Sequence, residues 1–344
     1  LVAQDPARSD WQLELAYGHS NIGSILEAKG DLRGALRQYR ATLEIKKGLV
    51  RKEPENSDWK LDLATTYNTV AVVLSSLGDL GGALLNHREE LAIKEALVAS
   101  DSRNAPWQHE LAITQNYAGD VLEALDRVEE AAALFDRART TMSALTARDP
   151  ANTRWQRDLA IHQARRGLAL QALGRREGVI GLLQGSTQIL RGLSASDPTN
   201  VKRRKDLAHC HIYLASALAG WGDSRGAIRN AETARSLMQS LLETKPEDRD
   251  ARLFLATSQV ILGEGWSQAG DPERARRLWT EAAGALAALA GGSQDKEILV
   301  PLSRSLLLLG RLHEARPVLA RLGRSGYRHR SLAEISRARG VPLS

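Results

Sequence analysis

Residues 59–100 read WKLDLATTYNTVAVVLSSLGDLGGALLNHREELAIKEALVAS. The stretch predicts two amphipathic helices that meet at Gly78-Asp79: glycine accepts the left-handed backbone that closes one helix, and aspartate caps the next. The same pattern recurs on both sides at a constant step. Trp11, Trp59, Trp107 and Trp155 stand 48 residues apart, and Leu15, Leu63, Leu111, Leu159, Leu207 and Leu255 keep that step, each followed by alanine. So do Gly30, Gly78, Asp126, Gly174, Gly222 and Gly270, as well as Pro6, Pro54, Pro150, Pro198 and Pro246, with Ser102 in the remaining slot. A fixed period of this size marks a solenoid, whose units contact mainly their neighbours. That outweighs the two or three domains the length would otherwise allow.

Within a unit, helix A is expected from about the tryptophan to just before the glycine, as in Trp11–Lys29. Helix B is expected from near Leu32 to about Val50, with Leu32, Leu36, Tyr39 and Leu43 on one face, and stops ahead of the proline, which has no N–H to continue it. Six such pairs fill residues 11–290 in this reading. LVAQDPARSDW at the start matches LVRKEPENSDW at residues 49–59, so residues 1–10 are expected to be the remnant of a truncated upstream repeat and the chain to be a fragment. After Ala290 the register slips, and residues 291–344 are expected to form a degenerate seventh repeat and a capping helix at about Ser331–Arg339. In the fourth unit Gly178, Gly181 and Gly185 fall in the expected helix B. Each costs up to about 1 kcal/mol against alanine, so this is the expected soft point. The tryptophan rings are expected to cover the junction with the preceding helix B.

The single cysteine, Cys210, excludes an internal disulfide framework, and no apolar run is long enough to span a membrane as a helix. A cytoplasmic location is expected. The net charge of +6 is uneven: residues 1–150 carry −6 and residues 151–344 carry +12. Lys202-Arg203-Arg204-Lys205 and the arginine-rich segment from Arg304 to Arg339 concentrate the positive charge. Nucleic-acid or anionic-partner binding through this basic half is one alternative function, and self-association through an exposed end of the stack is another.

No reaction chemistry emerges, and no catalytic, cofactor-binding or metal-binding residue is expected. His209-Cys210-His211 lie on one helix, where adjacent side chains splay about 100° apart, so they do not share a metal. His87-Arg88-Glu89-Glu90 is expected to be a charged helix face. Gly263-Glu264-Gly265 imitates part of a dinucleotide fingerprint but follows no strand.

Asn21-Ile22-Gly23, Gly30-Asp31, Ala35, Tyr39 and Leu43 resemble the tetratricopeptide repeat pattern, with units longer than usual. In that family a small residue of helix A meets a small residue of helix B. The matching pairs are Gly23 with Ala35, Ala71 with Ala83, Gly119 with Ala131, Ala215 with Ala227 and Gly263 with Ala275; Gly167 faces Val179. The W-x-x-[DE]-L-A opening and long helix B resemble arrays at the C-terminal end of bacterial multidomain signalling proteins that carry Ser/Thr kinase or STAND-type effector domains. The resemblance implies an all-α, right-handed α-solenoid of antiparallel helix pairs that serves as a non-enzymatic protein-interaction scaffold. It implies a protein or peptide partner on the concave helix-A face. The residues it points to are Asn21, Ser24, Glu27, Asn68, Thr69, Ser75, Asn116, Tyr117, Asp120, Glu123, Arg165, Gln171, His209, Tyr213, Ser216, Glu264 and Gln268. The carboxylate-clamp subtype needs several Lys and Arg there, and only Arg165 qualifies, so that subtype is excluded.

Overall fold

The computed structural model describes residues 8–293, 295–324, 330–338 and 340; the expected upstream remnant at residues 1–7, and Arg339 at the end of the expected capping helix, lie outside them. The described residues are all-α, with no strand among them. The chain divides into two compact units, Leu1–Glu123 and Ala124–Ser344.

In the first unit α1 (Ser9–Ala28), α2 (Leu32–Lys52), α3 (Ser57–Ser76), α4 (Leu80–Ser100) and α5 (Ala105–Ala124) follow one another. α1 packs on α2, α2 on α3 and α3 on α4. The second unit contains α6 (Val128–Arg148), α7 (Thr153–Ala172), α8 (Val179–Ser196), α9 (Val201–Gly220), α10 (Ser224–Thr244), α11 (Arg249–Gln268), α12 (Pro272–Ala290), α13 (Lys296–Leu308), α14 (Leu312–Arg324) and α15 (Arg330–Ala338). Each of α6 to α13 packs on the next helix, α7 also touches α9, α9 touches α11 and α11 touches α13, while α15 packs on α13. Antiparallel hairpins therefore stack side by side within the unit.

Two turns make this geometry. At the tight turn Gly30, Gly78, Gly174, Gly222, Gly270 and Gly310 all take positive φ, between 71° and 88°. Asp31 N–H then reaches back to Leu26 O at 2.9 Å, and the Asp31 carboxylate accepts from Gly34 N–H at 2.8 Å. Asp79, Asp223 and Asp271 cap α4, α10 and α12 likewise. At the wide turn Asn56 and Asn152 cap α3 and α7 by accepting from the tryptophan N–H three residues on, as Asn104 does from Trp107. α3, α5 and α7 thus start two residues ahead of the tryptophan, because an asparagine cap at the third preceding position places the first turn there. Trp11, Trp59, Trp107 and Trp155 are half-buried.

The fourth unit differs from expectation. Gly178 is not in a helix: at φ 77° it is the left-handed residue before α8, which begins only at Val179 and is three residues shorter than α6 and α10.

In three hairpins the nearest neighbour of the small helix-A residue is not the expected one. A Cβ on Gly23 would lie 2.6 Å from the Tyr39 ring, one on Gly167 would lie 3.2 Å from Leu183, and one on Gly263 would run into Trp279. The small residue of helix A makes room for a large side chain one turn beyond the expected alanine. Small opposite large fills the layer at native density, whereas small opposite small leaves space.

The string His87-Arg88-Glu89-Glu90 is not a charged face. Arg88 and Glu89 are exposed, but His87 and Glu90 are buried, together with Lys94 and Thr114. Glu90 Oε1 accepts from Lys94 at 2.9 Å and from the Thr114 hydroxyl at 2.7 Å, while His87 Nδ1 is 3.1 Å from Oε2. Lys94 also reaches Thr114 Oγ1 at 2.9 Å and Glu110 at 3.3 Å. Burial raises the Glu90 carboxyl, but hydrogen bonds from His87, Thr114 and Lys94 and the lysine charge outweigh it and hold the carboxyl below its ordinary range.

Candidate functional site: the exposed stripe of the A helices

Along α3 the accessible positions are Thr65, Thr69, Val72 and Ser76. Their spacing of four, three and four defines one helix stripe. The register-matched positions are Asn21 and Ser24 on α1 and Tyr117 and Asp120 on α5. Asn21 and Ser24 are exposed, Thr69 and Asp120 are half-buried, and Tyr117 is 43% exposed with its ring stacked near His87. In the second unit the matching register holds Arg165 on α7, His209, Tyr213 and Ser216 on α9, and Gln268 and Glu264 on α11.

The other candidates stand one step off it. Asn116 is buried, at 8% exposure. Asn68 is half-buried and its Oδ1 has no hydrogen-bond partner. Glu27 accepts from the Tyr39 hydroxyl at 2.8 Å, which turns it into the hairpin. Ser75, Glu123 and Gln171 are half-buried at the equivalent of Glu27. On the stripe itself Glu264 is committed internally: at 9% exposure it receives Arg304 of α13 on both carboxylate oxygens. Gln268 donates to Ala219 O at 2.9 Å. Val72 and Leu168 belong to the stripe and were missed, because sequence projection favoured polar side chains; the period itself would have found them.

His209, half-buried, lies between two aromatic rings on the second unit's stripe. Its ring centroid lies 4.2 Å from Tyr213 and 4.5 Å from Phe254. Burial, with the Arg165 charge second, pushes its pKa down to about 3, so the imidazole is neutral. The neighbouring side chains diverge from it. Cys210 Sγ sits 3.1 Å from Ser186 Oγ, and burial pushes its thiol up to about 12. His211 Nδ1 lies 2.9 Å from Asn230 Oδ1. Since Asn230 Nδ2 already donates to Gly226 O, the imidazole Nδ1–H is the donor. Among the described residues no group of His, Cys, Asp and Glu could hold a metal, and no helix is long and apolar enough to cross a membrane.

The basic stretch is largely engaged within the chain. Lys205 pairs with Asp248 at 2.8 Å and Asp250 at 2.9 Å, Arg203 donates to Leu193 O at 3.2 Å and Arg204 to Leu237 O at 3.3 Å. Arg304 is bound to Glu264, and Arg311 to Glu314 at 2.6 Å.

No protein-family model matches the chain, and no curated relative does. Solved structures share its architecture. The apo form of RapI is 13% identical over 90% of this chain and 97% of its own, with a TM-score of 0.64. BtubC (BKLC) from P. vanneervenii is 16% identical over 76% and 92%, at 0.57. A Rap protein complexed with Competence and Sporulation Factor is 12% identical over 93% and 76%, at 0.55. The fold is a tetratricopeptide-type helical array. At these identities the likeness is one of architecture: long A and B helices in consecutive hairpins, as built above from the 48-residue register.

Proposed function

We propose that the chain is a non-enzymatic protein-interaction scaffold whose helix-A stripe receives an extended peptide or a partner helix. It would serve as the partner-binding region at the C-terminal end of a larger bacterial signalling protein in the cytoplasm. The observation that carries the reading is the repeated stripe of accessible side chains. In the first unit Asn21, Ser24, Thr69, Val72 and Tyr117 alternate amide, hydroxyl, apolar and aromatic surface at one register. Amides and hydroxyls offer donor and acceptor to a peptide backbone, and an exposed tyrosine supplies rigid contact area at low entropic cost. The Rap protein of the same architecture was solved with Competence and Sporulation Factor bound, which supports ligand binding by such an array.

The test is selection from a displayed random-peptide library against the whole chain. Enriched peptides should lose binding to Thr69→Arg and Tyr117→Ala, both accessible positions. Absence of enrichment, or peptides that bind the two variants as well as the parent chain, would overturn the reading.

A further inference from the structure

We propose that a cavity shared by α10, α11 and α12 binds a small molecule through its diphosphate group. The cavity, of about 310 Å³, is lined by Arg235 and Gln239 of α10, Gln259 of α11, and Arg274, Arg277 and Glu281 of α12. Its volume stands at the lower end of the roughly 300–1,000 Å³ of small-ligand sites, which suits a compact anion. All six residues belong to the second unit. None is part of the helix-A stripe, so the site stands or falls independently of the scaffold reading.

Three guanidinium groups line this cavity with their donors largely unspent. Arg235 Nε stands 3.4 Å and Arg274 Nη2 3.8 Å from the two oxygens of Glu232, both beyond the roughly 2.7–2.9 Å of a charge-assisted hydrogen bond. Arg277 is exposed and makes no ion pair among the described residues. This sets them apart from Arg203, Arg204, Arg304 and Arg311, which donate to carbonyls or carboxylates of the chain. Arg274 is positioned without using its edge: its guanidinium carbon lies 3.8 Å from the centre of the Trp266 ring, a stacking that leaves the N–H groups able to donate. Nor does the repeat require these side chains. The 48-residue register puts Gly34, Gly82 and Gly226 at the Arg274 position, and Leu43 and Leu91 at that of Arg235. A guanidinium fork can engage two phosphate oxygens at once, so three forks exceed what one phosphate group satisfies and match two joined ones. Glu281 is the opposing charge. Its carboxylate accepts from Gln259 Nε2 at 2.9 Å and repels a bare anion.

The probe is inorganic pyrophosphate, titrated into the whole chain by isothermal calorimetry in metal-free, low-salt buffer. One saturable site is expected, with inorganic phosphate about tenfold weaker or more. Arg235→Gln/Arg277→Gln should weaken pyrophosphate binding about tenfold or more, and Arg277→Gln alone should weaken it less. Glu281→Gln should tighten it by removing the repulsion. Arg229→Gln/Arg276→Gln removes the same net charge from exposed positions outside the cavity and should leave the affinity within about twofold. Arg277 and Glu281 are exposed, so the two single variants decide the matter even where the double variant does not fold. Absence of saturable binding, equal affinity for phosphate and pyrophosphate, or an Arg277→Gln variant that binds as the parent does overturns the proposal. So do equal losses in the cavity pair and the control pair, because the anion is then drawn to the basic surface at large.

Discussion

Gly23 has no side chain because Tyr39 occupies its place: a Cβ there would stand 2.6 Å from Tyr39 Cε1 and 2.9 Å from Cδ1. The ring is pinned from the far side as well, since its hydroxyl donates to Glu27 at 2.8 Å. Gly23→Ala is therefore expected to force the ring out of its site and to destabilise the first unit by about 1–3 kcal/mol. Gly48 is the control, with nothing within 4 Å of a Cβ built on it, and Gly48→Ala in mid-helix should stabilise by up to about 1 kcal/mol. Urea melts of the two variants, moving in opposite directions, check this.

The Glu90 network has a register-matched alternative elsewhere in the chain. Where the first unit has Glu90 and Lys94, the second has Ala138 with Met142 and Ala234 with Met238, all four of them fully buried. Glu90→Ala alone removes the nearer of the two carboxylates on buried Lys94, leaving Glu110 at 3.3 Å, and is expected to destabilise, by at most about 3–5 kcal/mol. Glu90→Ala combined with Lys94→Met installs the apolar solution and should recover most of that loss. A double-mutant cycle in denaturant measures the coupling, and a double variant no more stable than the single would refute it.

The turn before α6 departs from the others. Asp126 holds φ 61° where the other tight turns have glycine, and the next residue, Arg127, gives α6 no side-chain cap. Asp126→Gly removes a left-handed strain of about 1 kcal/mol. Arg127→Asp installs a cap of about 1 kcal/mol and gives up only an exposed ion pair with Glu130. The double substitution should raise stability by about 1–2 kcal/mol and the thermal midpoint with it.

Two histidines of α9 are expected to make the second unit acid-sensitive. The pKa of His209 is pushed from its ordinary 6.5 to about 3 by burial and then by Arg165, and that of His211 is lowered by burial. Between the folded and unfolded values the unfolded chain binds the extra protons, so stability rises with pH there. The neutral rings contribute fully above about pH 6.5, and the contribution is lost progressively as the pH falls towards 3. His209→Leu should flatten this dependence between pH 6.5 and 4 in denaturant titrations. An unchanged slope would count against a neutral His209.

The helical array was legible because its signals are local: a tight-turn glycine, a wide-turn proline and alternating apolar faces recur at one spacing. What escaped the sequence depends on neighbours far along the chain. Glu90 looks like surface charge until Thr114 and Glu110, twenty and more residues away, close around it and Lys94. Tyr39, not Ala35, fills the space over Gly23, because the choice between them depends on helix packing that spacing alone does not determine. In the stripe, Asn21 and Ser24 stood out, but Glu264 carries the same polar signature and is consumed by Arg304, an arginine that composition assigns only to a basic tail.

The lysine-bearing seams also bear on how nearly identical hairpins keep their places. Lys46 meets Asp62 and Lys94 meets Glu90 and Glu110, whereas the matched sites downstream hold Met142, Leu190 and Met238. A hairpin that folded against the wrong neighbour, or exchanged between two molecules, would leave an ammonium group facing methionine or leucine, with no water to solvate it. Such mismatches penalise shuffled arrangements more than they reward the correct one, and so work as a proofreading device against misassembly, a hazard inherent in chains that repeat themselves.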